Sequence, residues 1–334
     1  MGELIRVAVD CMGGDNAPVQ PVMGALDALK ARDDFQLLLV GQKDVIEAEL
    51  AKYTFDRGRV AVIDAPEVIE TGEPPVAAIR KKKNSSIVIA QRMIRSGEAE
   101  GFVSAGSTGA VLAGGQLVVG RLPGVERAPL APLIPTLKGV SLLIDCGANV
   151  DARPDHLVQF AKMGSLYMKN IIGVENPTVG LINIGTEEEK GNALCKETFP
   201  LLRDCPDINF IGNVESREVP YGAADVYVCE AFTGNVMLKL YEGVGSAMTK
   251  MIKQGMMSSL RSKIGALLVK PALKKTLGKM DASEYGGAPM LGLNGLIMKT
   301  HGNAGCKEFR NSVLQCVTFA EQHLTDKIKN ALAH

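Results

Sequence analysis

Short runs of β-branched and leucine-rich residues alternate along the chain with longer stretches in which apolar residues recur at helical spacing. That alternation predicts an α/β fold, a mostly parallel sheet covered by helices. Eight runs read as strands: Ile5–Asp10, Gln36–Val40, Val60–Ile63, Gly101–Ser104, Val140–Asp145, Thr178–Ile184, Asn209–Ile211 and Ala224–Cys229. Most run into Gly, Asp or Asn, the punctuation expected where the carboxyl end of a strand opens onto a ligand-bearing loop. Helix starts are predicted at Pro18 after Asn16, Thr108 after Ser107, Pro154 after Asp151 and Asn235 after Thr233. Residues Lys307 to Ala333 read as one amphipathic helix with Phe309, Val313, Val317, Ala320 and Leu324 on its core face. Pro123, Pro129, Pro132 and Pro135 interrupt both periodicities. The chain is therefore expected to be one α/β unit over 1–334, with a soft boundary between two lobes near 122–138.

Composition narrows the function. With 46% hydrophobic residues in 334, the chain can bury a sizeable core. Lys plus Arg and Asp plus Glu number 37 each, aromatics are 4% and Trp is absent, so neither a basic field nor stacking platforms favour nucleic acid. The 7 cysteines are dispersed without a C-x-x-C pair, which suggests a reducing compartment and neither a zinc ribbon nor a disulfide framework. The N-terminus lacks a basic n-region followed by a long apolar run, and no apolar run reaches spanning length. A cytoplasmic protein, at most attached to the inner face of a membrane, is expected.

Four loops after predicted strands are rich in Gly, Ser, Thr and Asn: Asp10–Pro18 (DCMGGDNAP), Ser104–Ala110 (SAGSTGA), Asp145–Asp151 (DCGANVD) and Asn183–Asn192 (NIGTEEEKGN). Such loops turn backbone N–H groups inward at helix N-termini and suit anions. Singly, each glycine is better explained by a tight turn; four loops on one side of one sheet carry more weight. Two further stretches add charge: Phe232–Lys239 (FTGNVMLK), where Thr233 and a helix starting near Asn235 would face an anion with Lys239 one turn on, and Glu284–Gly295 followed by Lys299 and His301. Neither a P-loop nor G-x-G-x-x-G is present, so ATP and NAD are disfavoured. The lack of H-E-x-x-H or a carboxylate cluster beside His disfavours a metal, and the lack of G-x-S-x-G a serine hydrolase. No cofactor is expected.

From Lys253 to Met280 the chain carries Lys253, Arg261, Lys263, Lys270, Lys274, Lys275 and Lys279 and no acidic residue. Met256, Met257, Leu260, Ile264, Leu267 and Leu268 recur beside them at helical spacing, so 254–280 reads as a basic amphipathic helical tip, with Pro271 breaking or kinking it. Three readings stand: a surface helix packed on the core or on a dimer mate, an interfacial helix on anionic lipid, and a dock for an acidic carrier protein.

Taken in order, DCMGGDNAP, SAGSTGA, IDCGANVD, NIGTEEEKGN, FTGNVMLK and EYGGAPMLGLNG, with HG at His301, resemble the successive signature segments of the phosphate acyltransferase family of bacterial phospholipid synthesis. The resemblance is collinear over essentially the whole chain. Two segments depart from the family pattern: Cys229-Glu230-Ala231 stands where Thr-Asp-Gly is usual, and Val214–Glu218 (VESRE) varies a Glu-Gly-Arg-Asp pattern. The resemblance implies a three-layer Rossmann-like sandwich similar to phosphate acetyltransferases and isocitrate-type dehydrogenases, and a homodimer. It further implies transfer of an acyl group from acyl-acyl carrier protein to inorganic phosphate, with the acyl-phosphate passing to a membrane glycerol-3-phosphate acyltransferase.

Such a reaction asks for positioning of phosphate, stabilisation of a tetrahedral oxyanion and protonation of a thiolate. On that implication, Asp15, Ser104, Ser107, Thr108, Asn149, Thr186, Thr233, Lys239 and Lys299 are candidates for holding phosphate and substrate, with Lys190 or Arg217 as countercharge. Asn192 and Asn235 are candidate oxyanion donors, His301 a candidate acid and Glu230 a candidate catalytic carboxylate. Met257, Leu260, Arg261, Lys263, Ile264, Leu267, Leu268, Lys270 and Lys274 would dock membrane or carrier. A covalent route through Cys11, Cys146 or Cys229 is the lesser alternative, since phosphate attacks a thioester directly. The rival functions are a coenzyme A-dependent phosphate acetyl- or butyryltransferase, a dehydrogenase on a related fold, and a non-catalytic membrane scaffold.

Overall fold

A computed structural model describes residues 4–278 and 281–332; Lys279, Met280 and Ala333 lie outside the described residues, as does the side chain of Lys275. Its strands are β1 Ile5–Asp10, β2 Phe35–Gly41, β3 Val60–Asp64, β4 Gly101–Ser104, β5 Leu133–Thr136, β6 Gly139–Ile144, β7 Thr178–Asn183, β8 Asn209–Glu215, β9 Val226–Val228, β10 Ala288–Met290 and β11 Leu296–Lys299. Its α-helices are α1 Val19–Ala31, α2 Lys43–Leu50, α3 Pro75–Lys81, α4 Ser86–Ser96, α5 Thr108–Gly114, α6 Pro154–Tyr167, α7 Ala193–Arg203, α8 Ala231–Met256, α9 Leu260–Gly278, α10 Cys306–Glu321 and α11 Leu324–Leu332. All eight expected strands are present. The three unforeseen ones are short, and two contain the prolines Pro135 and Pro289. Proline lacks the N–H that a ladder uses, and both strands lie at sheet edges, where that loss is tolerated.

The strands form two sheets rather than one. The order β10-β11-β4-β1-β2-β3 makes a six-stranded sheet and β5-β6-β9-β7-β8 a five-stranded one. Each is parallel except for one edge strand, β10 against β11 and β5 against β6. The proline-rich stretch at 122–138 contains β5, where the chain enters the second sheet; β10 and β11 return it to the first.

Strand alternation explains the layering. On β1 and β2, Val7, Val9, Leu37 and Leu39 face a core shared with α1 and α10, while Ala8, Leu38 and Val40 face α4 and α5 on the other side. On the second sheet, Leu142, Val226 and Val228 join the same large core as Val7 and Val9, beside α6, while Leu143, Ile182 and Tyr227 pack toward α8. Each sheet is thus covered on both faces, which is why its inner strands are apolar almost throughout. The central core is continuous across both sheets. α1 and α10 cross at Gly24, where an added Cβ would lie 2.4 Å from the Cys306 carbonyl.

Two helix predictions are corrected. The C-terminal segment is two helices, broken at Gln322–His323 with His323 at φ 48°. Phe309, Val313, Val317 and Leu324 are nevertheless buried, and Ala320 is half-buried. α8 starts at Ala231, four residues before Asn235, because the Glu230 carboxylate accepts from the N–H groups of Phe232 (2.6 Å) and Thr233 (3.0 Å). The N–H groups expected to face an anion at Asn235 are therefore inside the helix.

Candidate active site

A cleft of about 1970 Å³ opens where the carboxyl ends of β4, β6, β7, β9 and β11 converge, between the two sheets and along α8. Three of the four glycine-rich loops reach its wall: Thr108 from the second, Cys146 and Gly147 from the third, and Asn183, Gly191 and Asn192 from the fourth. These loops rise from two sheets, so the expectation of one sheet edge is corrected. The first loop does not line the cleft. It braces the segment that does, because the N–H of Asp15 donates to the Gly302 carbonyl at 2.7 Å and Asn16 donates to the carbonyls of Asn303 and Ala304.

Several residues expected to touch phosphate instead build the loops. Asp10 and Asp145, buried at the ends of β1 and β6, each fold the following turn: Asp10 accepts from the N–H groups of Met12 and Gly13, and Asp145 from those of Gly147, Ala148 and Asn149. Burial pushes both carboxyls above their ordinary range, against the lowering effect of these bonds. Ser104 donates to Asp10 at 2.7 Å, Ser107 caps α5, and Asn149 donates to Asp145 at 2.7 Å and to the Ala128 carbonyl at 3.1 Å. These three are buried and committed to scaffold bonds. Glu230 is likewise a helix cap, hydrogen-bonded also to the Thr233 hydroxyl, and does not line the cleft. Asp15 is exposed outside it.

The cleft does bring together Thr108, Asn192, Arg217, Thr233, Asn235, Lys239, Lys299 and His301. Asn192 caps α7 through its Oδ1, which accepts from Cys195 N–H at 2.9 Å, leaving its amide NH₂ as the donor. Arg217 is paired with Glu215 and Glu218 at the rim. Lys190 and Thr186 are exposed on the loop whose ends, Asn183 and Gly191, line the wall. α8 is set in place by Gly234, where an added Cβ would lie 1.9 Å from the carbonyl oxygen of Asp145.

Lys299 is only 8% exposed and hydrogen-bonds the Thr300 carbonyl. Burial lowers its pKa to about 8, with Glu308 and Asp10 opposing the fall. It is still mainly cationic at neutral pH, in a poorly hydrated position where charge attracts an anion strongly. His301 stands 3.2 Å from Glu242, whose hydrogen bond raises the imidazole above its ordinary value, outweighing partial desolvation of the ring. The thiols of Cys146 and Cys229 are driven well above their normal pKa by burial, as is that of Cys11, so none is poised as a thiolate nucleophile. No group of three His, Cys, Asp or Glu among the described residues is placed to hold a metal ion. Glu242 and Glu308 escaped the sequence reading. Glu242 had a signal, since Asn235, Lys239 and Glu242 follow at i, i+4 and i+7 and share a helix face; Glu308 had none.

The far wall of the cleft is apolar, formed by Val236, Leu240, Val244 and Met248 of α8. Beyond it α8 and α9 form a hairpin whose turn falls at Met257–Ser259 rather than at Pro271, which α9 incorporates. Leu260, Leu267 and Leu268 are 78%, 72% and 77% exposed, and Met257, Arg261, Lys263, Ile264, Lys270 and Lys274 are exposed as well. Of the three readings of this tip, packing on the chain's own core does not fit this exposure. No helix among the described residues is long and apolar enough to cross a membrane.

The model of the family described as fatty acid synthesis protein matches residues 5–327. Phosphate acyltransferases of Clostridium beijerinckii and Clostridium acetobutylicum are 50% and 45% identical to this chain, each over 98% of both sequences. Among solved structures, the EutD phosphotransacetylase from Staphylococcus aureus has a TM-score of 0.61 at 18% identity, covering 96% of this chain and 94% of its own. A phosphotransacetylase from Streptococcus pyogenes has a TM-score of 0.62 at 17% identity, covering 96% and 95%. At such identity these two establish the Rossmann-like α/β fold. With the family model spanning nearly every residue and relatives at half identity over the full length, the chain belongs to the fatty acid synthesis protein family of phosphate acyltransferases.

Proposed function

We propose that this acyltransferase takes a long-chain acyl group from the thioester of acyl carrier protein and passes it to inorganic phosphate, in a single α/β unit without a cofactor. The observation that carries this reading is one cleft with a polar, charged end, Lys299 and His301 beside Glu242 and Glu308, and an apolar wall on α8. Phosphate sits at the first and the acyl chain along the second. The Lys299 ammonium and Thr108 hydroxyl hold phosphate, and Lys190, exposed on the loop whose ends line the cleft, adds countercharge. A phosphate oxygen attacks the thioester carbon; as the new C–O bond forms, negative charge gathers on the carbonyl oxygen, where the amide groups of Asn192 and Asn235 donate. The C–S bond then breaks and His301 gives a proton to the departing sulfur, leaving acyl-phosphate and carrier thiol.

The exposed hairpin supports peripheral attachment to an anionic membrane surface, Leu and Met entering the acyl boundary while Arg261, Lys263, Lys270 and Lys274 meet the phosphates. That attachment, from the cytoplasmic side, would deliver the product to a glycerol-3-phosphate acyltransferase, and pairing into a homodimer belongs to the same reading. The test is incubation of the protein with palmitoyl-acyl carrier protein and phosphate, without ATP, metal or nicotinamide, with free thiol and acyl-phosphate measured together. Phosphate-dependent appearance of both is expected. Activity confined to short acyl-coenzyme A would replace the donor, and a folded protein inert with every thioester would leave only a membrane scaffold.

A further inference from the structure

The segment carrying His301 is pinned through its backbone. The N–H of His301 donates to Glu308 Oε1 at 2.9 Å, and the Gly302 carbonyl accepts from Asp15 N–H at 2.7 Å. These contacts fix where the residue starts but leave the imidazole free to turn about its side-chain torsions. The ring is met from across the cleft by α8, where Glu242 Oε1 lies 3.2 Å from Nε2. Both residues line the cleft, and Glu242 stands two turns beyond Asn235 on the same helix face.

Resting on the acyl-transfer reading above, we propose that Glu242 is the positioning residue for His301: it holds Nε2–H and thereby aims Nδ1–H at the departing sulfur. As the C–S bond breaks, the Nδ1 proton moves to sulfur and the C–S electron pair stays there. The neutral ring keeps its Nε2 proton against the carboxylate, in one defined tautomer. The same carboxylate sets how much imidazolium is present. The charged groups facing the ring are Glu242 from α8, Glu308 from α10 and Lys299 from β11; Glu242 acts most strongly, raising the pKa, and Lys299 opposes it. Since the protonated ring is the active form, turnover falls as pH rises through this pKa, and loss of Glu242 moves that fall to lower pH.

The experiment compares wild type, E242Q, E242D, H301Q and the double variant E242Q/H301Q, using histidine-labelled protein for NMR titration and pH profiles of kcat and KM. The chain has 4 histidines, so the signal lost in H301Q identifies the ring. In E242Q the His301 pKa should fall and the descending limb of kcat should move down with it. Turnover at pH 8 should drop about fivefold, modest because the pair is partly solvated, with KM for phosphate unchanged. E242D should lie between, and the double variant should be no slower than H301Q. An unmoved His301 pKa in E242Q, or a lowered pKa with an unmoved kcat limb, overturns the assignment of Glu242. Undiminished turnover in H301Q overturns it through His301. A wild-type protein that makes no acyl-phosphate, while NMR still reports the pair, instead overturns the acyl-transfer reading on which the proposal rests.

Discussion

Gly234 is the position at which a single methyl group should separate folding from catalysis. It lies in the first turn of α8, and a Cβ there would stand 1.9 Å from the backbone oxygen of Asp145 and 3.1 Å from Cys229 Sγ. Real Cβ contacts essentially never fall under 3.0 Å, so Gly234→Ala requires at least 1.1 Å of movement (3.0 minus 1.9) between α8 and the β6–α6 loop. Backbone is on the other side of the contact, and a rotamer change cannot relieve it. Helix propensity favours alanine by about 1 kcal/mol, but overpacking costs about 1–3 kcal/mol, so net destabilisation is expected. For a chain of this size that is a loss of a few degrees in Tm. The catalytic cost is larger, because Asn235, Lys239 and Glu242 move with the helix, and a misplacement near 1 Å costs about 10²-fold in rate. Thermal melts and phosphate-dependent thiol release on the same preparation read the two effects. Gly243→Ala is the control: nothing lies within 4 Å of its Cβ position, so it should be neutral or stabilising by up to ~1 kcal/mol. Unchanged Tm and turnover within twofold of wild type for Gly234→Ala would refute the claim that this contact positions α8.

Glu230→Ala should destabilise the protein by about 0.5–2 kcal/mol in denaturant unfolding through loss of the α8 cap, whereas Glu230→Asp keeps a capping carboxylate and most of that stability; equal stability of all three proteins would remove the capping role. Lys299 is cationic below its pKa of about 8 and neutral above it, so KM for phosphate should climb as pH rises through 8, and Lys299→Met should flatten that climb while raising KM at pH 7; a parallel pH profile would exclude Lys299 from phosphate binding. Replacing Leu260, Leu267 and Leu268 together by Glu should abolish co-sedimentation with phosphatidylglycerol vesicles and leave turnover of soluble donor intact. If vesicle binding persists while KM for acyl carrier protein rises, the tip is a carrier dock.

Periodicity alone was sufficient for much of the fold. Alternation of apolar runs and helical stretches located eight strands, because strands buried on both faces must be apolar nearly throughout and are hard to mistake. The loops that follow them were legible from glycine and small polar residues, and three of them do wall the cleft. What the sequence could not express is which polar atoms a fold spends on itself. Ser104, Ser107, Asn149 and Glu230 look like ligand-binding residues in one dimension, yet they hydrogen-bond the fold itself: Ser104 and Asn149 satisfy buried carboxylates, and Ser107 and Glu230 cap helices, because leaving a buried polar group unpaired is costly and a helix start leaves N–H groups open. Short edge strands with proline escaped notice because their pairing depends on neighbours far along the chain. The division into two sheets, the brace from the first loop to Gly302, and the approach of Glu242 to His301 join residues 59 to nearly 300 positions apart. The chain determined by its own pattern that it would be an α/β protein with polar loops at strand ends. Only tertiary packing, which brings distant segments within bonding distance, decided which of those polar groups face the cleft.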